Sequence, residues 1–397
     1  MFPPSCKGWG VLVYPSIPLR TSLEFTERVY NLTQDNPPEP VEGLHYFEAF
    51  FIILVAVDEH SLNKKTRRSP PLPKKMLGII KQNVSLKPLS YLHVGGKTRH
   101  FFTAKSIKEV FNVLDFWFSQ KRLKNKRILI LGGGTNVLFS DKVFNGLVLK
   151  IDINFIKVVG KDVIFSGAGT SMVKLLNFCL KNKFAGLEWT ARLPGTLGGA
   201  VRGNAGCFGG EIKDSVIGVA SLDFINGNFY FRLRNNRDCD FGYRSSIFKK
   251  ITERQNFSVI LWILLKMSKK NDISSEKSIA ESNFAYRLKK QPIKSPTLGS
   301  TFKNIPVQKV PKEVLKEFSH KIKEDPFPIL PVALLLNGAN LKGVGIGGAK
   351  FSEKHPNFIV NIGKARASDV KKLISLAKRR VKSKFGISLE EEIEIIK

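Results

Sequence analysis

Apolar positions along the 397-residue chain fall into two kinds of pattern, and the two alternate from Met76 onward. In SIKEVFNVLDFWFSQK (106–121), Val110, Val113, Leu114 and Phe118 recur at helical spacing and share one face, which predicts an amphipathic helix. RILIL (127–131) is an unbroken apolar run of strand length and reads as a buried strand. KDVIFSGAGT (161–170) reads as a strand entering a turn, SMVKLLNFCLKNK (171–183) as a helix, and SVILWILLKM (258–267) as a further strand. The clearest helix is ASDVKKLISLAKRRVKSKF (367–385), with Val370, Leu373, Ile374, Ala377, Val381 and Phe385 on its apolar side and Ser368 as the expected N-cap. No internal repeat is evident.

Composition changes this picture mainly at the N-terminus. The chain is 43% apolar and long enough for roughly two or three domains. Residues 1–75 hold ten of the twenty prolines and carry nearly balanced charge, nine Lys or Arg against eight Asp or Glu. Within them NKKTRRSPPLPKK (63–75) has the composition of a disordered linker, because proline and like charge do not support a packed element. These residues are expected to be a dispensable extension, or translated upstream sequence with Met76 as the true start. Their longest apolar run, AFFIILVAV (49–57), is shorter than the about 20 residues that span a bilayer. The acids Glu48, Asp58 and Glu59 flank it where a signal peptide would carry basic and small residues. A soluble, cytoplasmic, monomeric protein without a membrane span is expected.

The net charge of +31 is spread singly and in pairs along nearly every segment, a distribution that favours anionic ligands. No zinc-finger spacing or RNP-type aromatic box accompanies it, so nucleic acid is not an expected partner. Four cysteines, at 6, 179, 207 and 239, are too few and scattered for a disulfide framework or a CxxC site, which suggests a reducing compartment. Six histidines, none paired at ligand spacing, predict no metal.

Glycine is the strongest chemical signal. LGGGTNVLFSD (131–141) follows a strand, so Gly132, Gly133 and Gly134 expose backbone N–H groups where the strand ends, with Thr135 and Asn136 as further donors. It is neither a Walker loop nor a Rossmann turn. GAGT (167–170) and LPGTLGGAVRGNAGCFGG (193–210) follow, the latter with seven glycines in eighteen positions and no acid. Three such loops in close succession suggest one extended ligand with main chain pressed along it, as a diphosphate-containing dinucleotide requires. Pro194 and Gly195 supply a turn, Gly198 and Gly199 allow close approach, and Asn204 can read a ring edge. GVGIGG (343–348) formally matches GxGxxG but lacks the strand-turn-helix context, because AKFSEKHPNFIVN reads as extended chain broken by Pro356.

Weaker polar signals lie further on. YRSSIF (243–248) sets Tyr243 beside Arg244, whose planar guanidinium can clamp a carboxylate. GSTFKN (299–304) offers Ser300, Lys303 and Asn304, the serine as a proton donor since no histidine base accompanies it. LEEEIEI (389–395) ends the chain with four carboxylates, which at a terminus are ordinarily solvated.

Taken together and in order, VGG (94–96), LGGGTNVLFSD, GLEWTARLPGTLGGAVRGNAG, YRSSIF, GSTFKN, LKGVGIGGAKFSEKHPNF and LEEEI resemble the UDP-N-acetylenolpyruvoylglucosamine reductase family from Ser85 to Lys397. The short span between YRSSIF and GSTFKN resembles the family's second type. The resemblance implies an α+β fold: two FAD-binding lobes of the vanillyl-alcohol-oxidase type, 76–152 and 153–290, and a substrate domain, 291–385, with 386–397 returning to the first lobe. It implies FAD as cofactor, held by Gly132 to Asn136 and by Gly195, Thr196, Gly198, Gly199, Asn204 and Gly206. NADPH is implied as co-substrate and UDP-N-acetylglucosamine enolpyruvate as substrate, with Tyr243, Lys303 and Asn304 binding the latter. Arg244 and Glu392 match the family's charge-stabilising pair and Ser300 its proton donor. Glu392 can act beside a substrate carboxylate only if protonated or hydrogen-bonded to it. The chain departs from the pattern at the inserted Ile305, at Arg192 before the LPGT turn and at Lys97 to Arg99.

Two other readings remain open on residues alone. Another flavin oxidase on this scaffold would use a His or Cys flavin tether, for which His100 and Cys207 are the nearby candidates. The cationic surplus alone would suit a nucleic-acid-binding protein.

Overall fold

The computed structural model describes residues 17–19, 79–120, 126–251 and 256–396. The apolar run 49–57, the linker 63–75 and Met76 lie outside them. Within the N-terminal stretch, Ile17–Leu19 forms a short strand paired antiparallel with Phe229–Phe231.

The first sheet contains β1 (Lys81–Ser85), β2 (Lys97–Ala104), β3 (Ile128–Leu131) and, beyond the short β4 (Val137–Leu138), β5 (Phe144–Ile151). Its order is β1-β2-β5-β3, with β5 parallel to both neighbours. Helix α1 (Ile107–Ser119) links β2 to β3, and the Ser106 hydroxyl accepts from Glu109 N at 3.2 Å as its N-cap. Val110, Val113 and Leu114 are fully buried, and so nearly are Phe111, Phe116 and Trp117, so burial extends beyond the expected stripe. Phe118 is half-buried because it reaches the second sheet, where it stacks on Phe224 at 4.2 Å between centroids.

That second sheet is antiparallel, built from β6 (Ile156–Val158), β7 (Val163–Gly167), β8 (Val216–Ile225), β9 (Asn228–Asn235) and β10 (Phe257–Lys266). Its order runs Ile17–Leu19, β9, β8, β10, β7, β6. All of β10 but Lys266 is buried, which explains its unbroken apolar run: both of its faces are covered. Between β7 and β8 come α2 (Met172–Lys181) and α3 (Leu197–Gly203); after β10 comes α4 (Ser274–Lys290), in which only Ala280 and Arg287 are buried.

A third, antiparallel sheet has β11 (Thr297–Ser300), β12 (Gly345–Ile346), β13 (Ala349–Phe351) and β14 (Phe358–Asn361) in the order β11-β14-β13-β12. Against it packs α5 (Ala367–Phe385), with all six expected apolar residues buried. Its start corrects the sequence reading. Ser368 lies inside the first turn, and its amide and that of Ala367 donate to the Asp141 carboxylate at 2.9 and 2.8 Å. A charged acceptor from a distant loop serves two orphan amides where one hydroxyl serves a single one. GVGIGG forms the β12–β13 turn, and the Asp369 carboxylate under Gly347 accepts from Arg366 N at 3.0 Å, fixing the helix start.

The chain end returns to the first lobe as β15 (Glu394–Ile395), paired in parallel with β4. Leu92, Val94 and Leu138 share one core with Leu389, Ile393 and the third sheet, so these parts pack as one body. Of the departures, Ile305 is buried in this core, and the Arg192 guanidinium lies over the Phe284 ring of α4 at 4.8 Å. No helix among the described residues is long and apolar enough to cross a membrane.

Candidate active site

The three glycine segments meet. A Cβ on Gly133 would lie 2.9 Å from Gly195 Cα, and one on Gly134, at φ +65°, would lie 1.9 Å from Leu89 O. Only glycine lets these loops touch. The 193–199 segment is sewn to the 167–170 turn by Leu197 N donating to Thr170 O at 2.8 Å and Gly198 N to Ala168 O at 2.9 Å. The amides of Gly132 to Asn136, and those of Gly195 and Thr196, have no acceptor among the described residues. Thr196 caps α3, its hydroxyl accepting from Gly199 N at 3.4 Å, and Gly199 itself is exposed. A row of unspent main-chain donors without acidic neighbours fits a diphosphate, so the residues present suit FAD.

Two expected cofactor residues are engaged elsewhere. Asn136 Nδ2 donates to Glu392 O at 3.0 Å, and its carbonyl accepts from Glu394 N at 2.9 Å, tying this loop to the chain end. Asn204 is fully buried; its Nδ2 donates to Gly242 O at 3.0 Å and to Glu211 Oε1 at 3.2 Å, and its Oδ1 accepts from Lys213 N at 3.3 Å. Gly206 O accepts from Arg244 Nη2 at 2.9 Å.

Beside the glycine loops lies a cleft of about 410 Å³ whose lining includes Tyr243, Arg244, Ser300, Asn304, Tyr286 and His355. Arg244 comes from a tight turn and has φ +54°, a conformation uncommon outside glycine. Its Nε donates to Glu392 Oε1 at 2.7 Å, while Nη1 has no acceptor among the described residues. Burial works against its charge, and Glu392 and then Tyr243 more than offset this, holding the guanidinium above its ordinary value. Burial likewise raises the Tyr243 phenol, whose oxygen accepts from Asn304 N at 3.3 Å.

Ser300 ends β11 with its hydroxyl unpartnered among the described residues. The following chain runs along the terminal segment: Glu392 N donates to Thr301 O and Lys303 N to Glu390 O, both at 2.9 Å. These bonds set Ser300 near Glu392. Lys303 Nζ pairs with Glu390 and does not line the cleft. Sequence reasoning missed Asn357, buried within the SEKHPNF motif, whose side chain accepts from Phe302 N at 3.0 Å and donates to Phe302 O at 2.8 Å, bracing the Ser300 loop. It missed the α4 face too, from which Tyr286 and Lys290 line the cleft. Of the possible tethers, His100 packs edge-on against Trp117 at 4.9 Å. Cys207 lines the cleft, accepts from Arg287 Nη2 at 2.9 Å, and its thiol is pushed up by burial.

Residues 98–229 match the family described as FAD binding domain, and residues 291–396 match the UDP-N-acetylenolpyruvoylglucosamine reductase, C-terminal domain. The chain is 34% identical over 314 residues to the UDP-N-acetylenolpyruvoylglucosamine reductase of Pelagibacter ubique, covering 79% of this chain and 93% of that one. The enzyme of the same name from Caldanaerobacter subterraneus is 34% identical over 316 residues, 79% and 92% of the two chains. The crystal structure of UDP-N-acetylenolpyruvylglucosamine reductase from Thermus caldophilus superimposes with a TM-score of 0.61 at 27% identity, covering 80% of this chain and 100% of that one. The expected α+β class, an FAD-binding domain followed by an α+β domain, is borne out by these matches. With the motifs in order and the relatives matched nearly end to end, the chain belongs to the UDP-N-acetylenolpyruvoylglucosamine reductase family and is an FAD-dependent oxidoreductase.

Proposed function

We propose that this chain reduces UDP-N-acetylglucosamine enolpyruvate to UDP-N-acetylmuramate with NADPH, a step of peptidoglycan precursor synthesis. The observation that carries the reading is one cleft beside the glycine loops whose lining brings Arg244, held by Glu392, together with the unpartnered Ser300 hydroxyl. The amides of Gly132 to Asn136, Gly195 and Thr196 would hold FAD, which when bound would supply hydride transfer between NADPH and the enol ether double bond.

Hydride addition at the methylene carbon of the double bond pushes charge through the alpha carbon toward the substrate carboxylate. Arg244 orients that carboxylate and offsets the charge, its Nε held by Glu392 and its Nη2 by Gly206 O. Glu392 hydrogen-bonds the carboxylate from the same side only as the protonated acid, and otherwise acts by holding Arg244 Nε. Ser300 donates its hydroxyl proton to the alpha carbon, which completes the reduction and leaves the serine to be reprotonated from solvent. Tyr243 and Asn304 hold the UDP-sugar, and Lys303, engaged by Glu390, steadies the loop that carries them. The cationic surplus favours both anionic substrates.

The test is NADPH oxidation on addition of UDP-N-acetylglucosamine enolpyruvate, in wild type and in Ser300→Ala. Wild type should respond and the variant should be nearly silent. No response in wild type rejects the reaction; undiminished turnover in Ser300→Ala rejects the proton donor alone.

A further inference from the structure

We infer that Asn204 is a positioning residue that sets the aim of Arg244, acting through the Gly242 carbonyl rather than through the cofactor. The inference rests on the role proposed for Arg244 above. Arg244 keeps a left-handed backbone, which is unfavourable for any residue with a Cβ and persists only when its surroundings fix it. The turn is closed by Gly242 N donating to Ser245 O at 3.0 Å and Ser245 N to Gly242 O at 3.1 Å. Outside the turn, three side chains hold it. Asn204 Nδ2 donates to Gly242 O at 3.0 Å, the Ser246 hydroxyl to Arg202 O at 2.7 Å, and Lys249 Nζ to Arg244 O at 3.1 Å.

Two of these ties end on α3 and the residue that caps it, so the turn is bolted to the element whose other end adjoins the glycine segment. Asn204 is the innermost tie. Both of its amide hydrogens are spent, on Gly242 O and on the Glu211 carboxylate, and its oxygen is spent on Lys213 N, so it has no donor left for a flavin. Its own φ of +42° is the kind of backbone that asparagine accepts readily, which places the amide under Gly242. Loss of the tie lets the turn relax, and a guanidinium misplaced by a fraction of an ångström no longer meets the charge that develops in the reaction.

A double-mutant cycle on the FAD-loaded enzyme tests this. The four proteins are wild type, Asn204→Ser, Arg244→Gln and the double variant; the readouts are the visible flavin spectrum and the rate at which the substrate reoxidises the NADPH-reduced enzyme. Asn204→Ser should slow reoxidation by about 10- to 100-fold in the wild-type background and by at most about threefold in Arg244→Gln, with the flavin spectrum unchanged. An equal loss in both backgrounds, or an altered spectrum with weakened FAD retention, overturns the inference. Should Asn204→Ser not fold, Asn204→Asp with Glu211→Gln keeps the volume and a buried donor–acceptor pair while removing the bond to Gly242, and Glu211→Gln alone controls for the lost Glu211–Lys213 ion pair. Failure of both to fold assigns Asn204 to the fold at large and overturns it equally. Arg244→Gln alone retaining the wild-type rate overturns the role of Arg244, a separate outcome.

Discussion

The glycine cradle and the cleft beside it are built by opposite means. In the cradle the chain contributes main chain, and two loops approach until Gly133 faces Gly195 Cα with no room for a side chain. In the cleft it contributes side chains from distant elements, Arg244 among them set by a charge partner. The terminal carboxylates, which a terminus would ordinarily leave in water, each meet a cation: Glu390 meets Lys303, Glu391 meets Lys378 at 2.7 Å, Glu392 meets Arg244 at 2.7 Å, and Glu394 meets Arg202. The segment is pinned because β15 pairs with β4 and cations from four other segments converge on it. A site of backbone is therefore sensitive to added atoms and indifferent to charge, and a site of paired side chains the reverse.

The largest effect should come from Arg244→Ala. Removing one preorganised donor to developing charge costs about 10²- to 10³-fold in rate, and FAD retention should be untouched. Arg244→Lys should not restore the rate, since one ammonium cannot keep both the Glu392 and the Gly206 contacts of the planar fork. Stopped-flow reoxidation by the enolpyruvyl sugar reads both; loss of FAD from either variant would erase the distinction between the two sites.

Next in size is Gly134→Ala, which puts a Cβ 1.9 Å from Leu89 O at φ +65°. It should cost about 3 kcal/mol or more in thermal unfolding, with or without FAD. At Gly199 the nearest atom to an added Cβ is Thr196 Oγ1 at 3.4 Å. Gly199→Ala should leave the apoprotein within about 0.5 kcal/mol of wild type. If it weakens FAD binding nonetheless, that glycine serves the ligand and Gly134 serves the fold.

The same difference governs what could be read in advance. Regularly buried elements declared themselves: α5, with one covered face, by its repeat, and β10, with two, by its run, both because burial is written directly into residue type. Helix α4 was missed because only two of its residues are buried, so no apolar repeat exists. The β8–β9 hairpin was missed although Asn226–Gly227, both at positive φ, is the dipeptide such a turn demands. The cradle was legible because its glycines are contiguous and its meaning lies in bare backbone. The Arg244–Glu392 pair, 148 residues apart, was linked only through the ordered resemblance, since no local pattern encodes a tertiary ion pair. Asp141 was seen as the end of a glycine motif, and its service to α5 depends on packing that no spacing records.

Asp141→Ala should therefore cost about 1 to 2 kcal/mol, the value of an N-terminal cap that serves two amides, while Ser368→Ala stays within about 0.5 kcal/mol of wild type. Denaturant unfolding of both decides which residue caps α5, and equal losses would return Ser368 to that role.

The last effect is in pH dependence and belongs to the cleft. Burial first, and Lys323 second, lower His355 from its ordinary 6.5 to about 4, so the folded protein keeps it neutral. The unfolded chain takes up a proton below its ordinary value and the folded one does not, so this contribution is complete above 6.5 and is lost as pH falls from there toward about 4. Thermal melts across that window should fall more steeply in wild type than in His355→Gln, which has nothing to protonate. Parallel curves would remove His355 from the acid response. Gly199→Ala, which changes only the cradle, should follow the wild-type slope, because the backbone there carries no group that titrates.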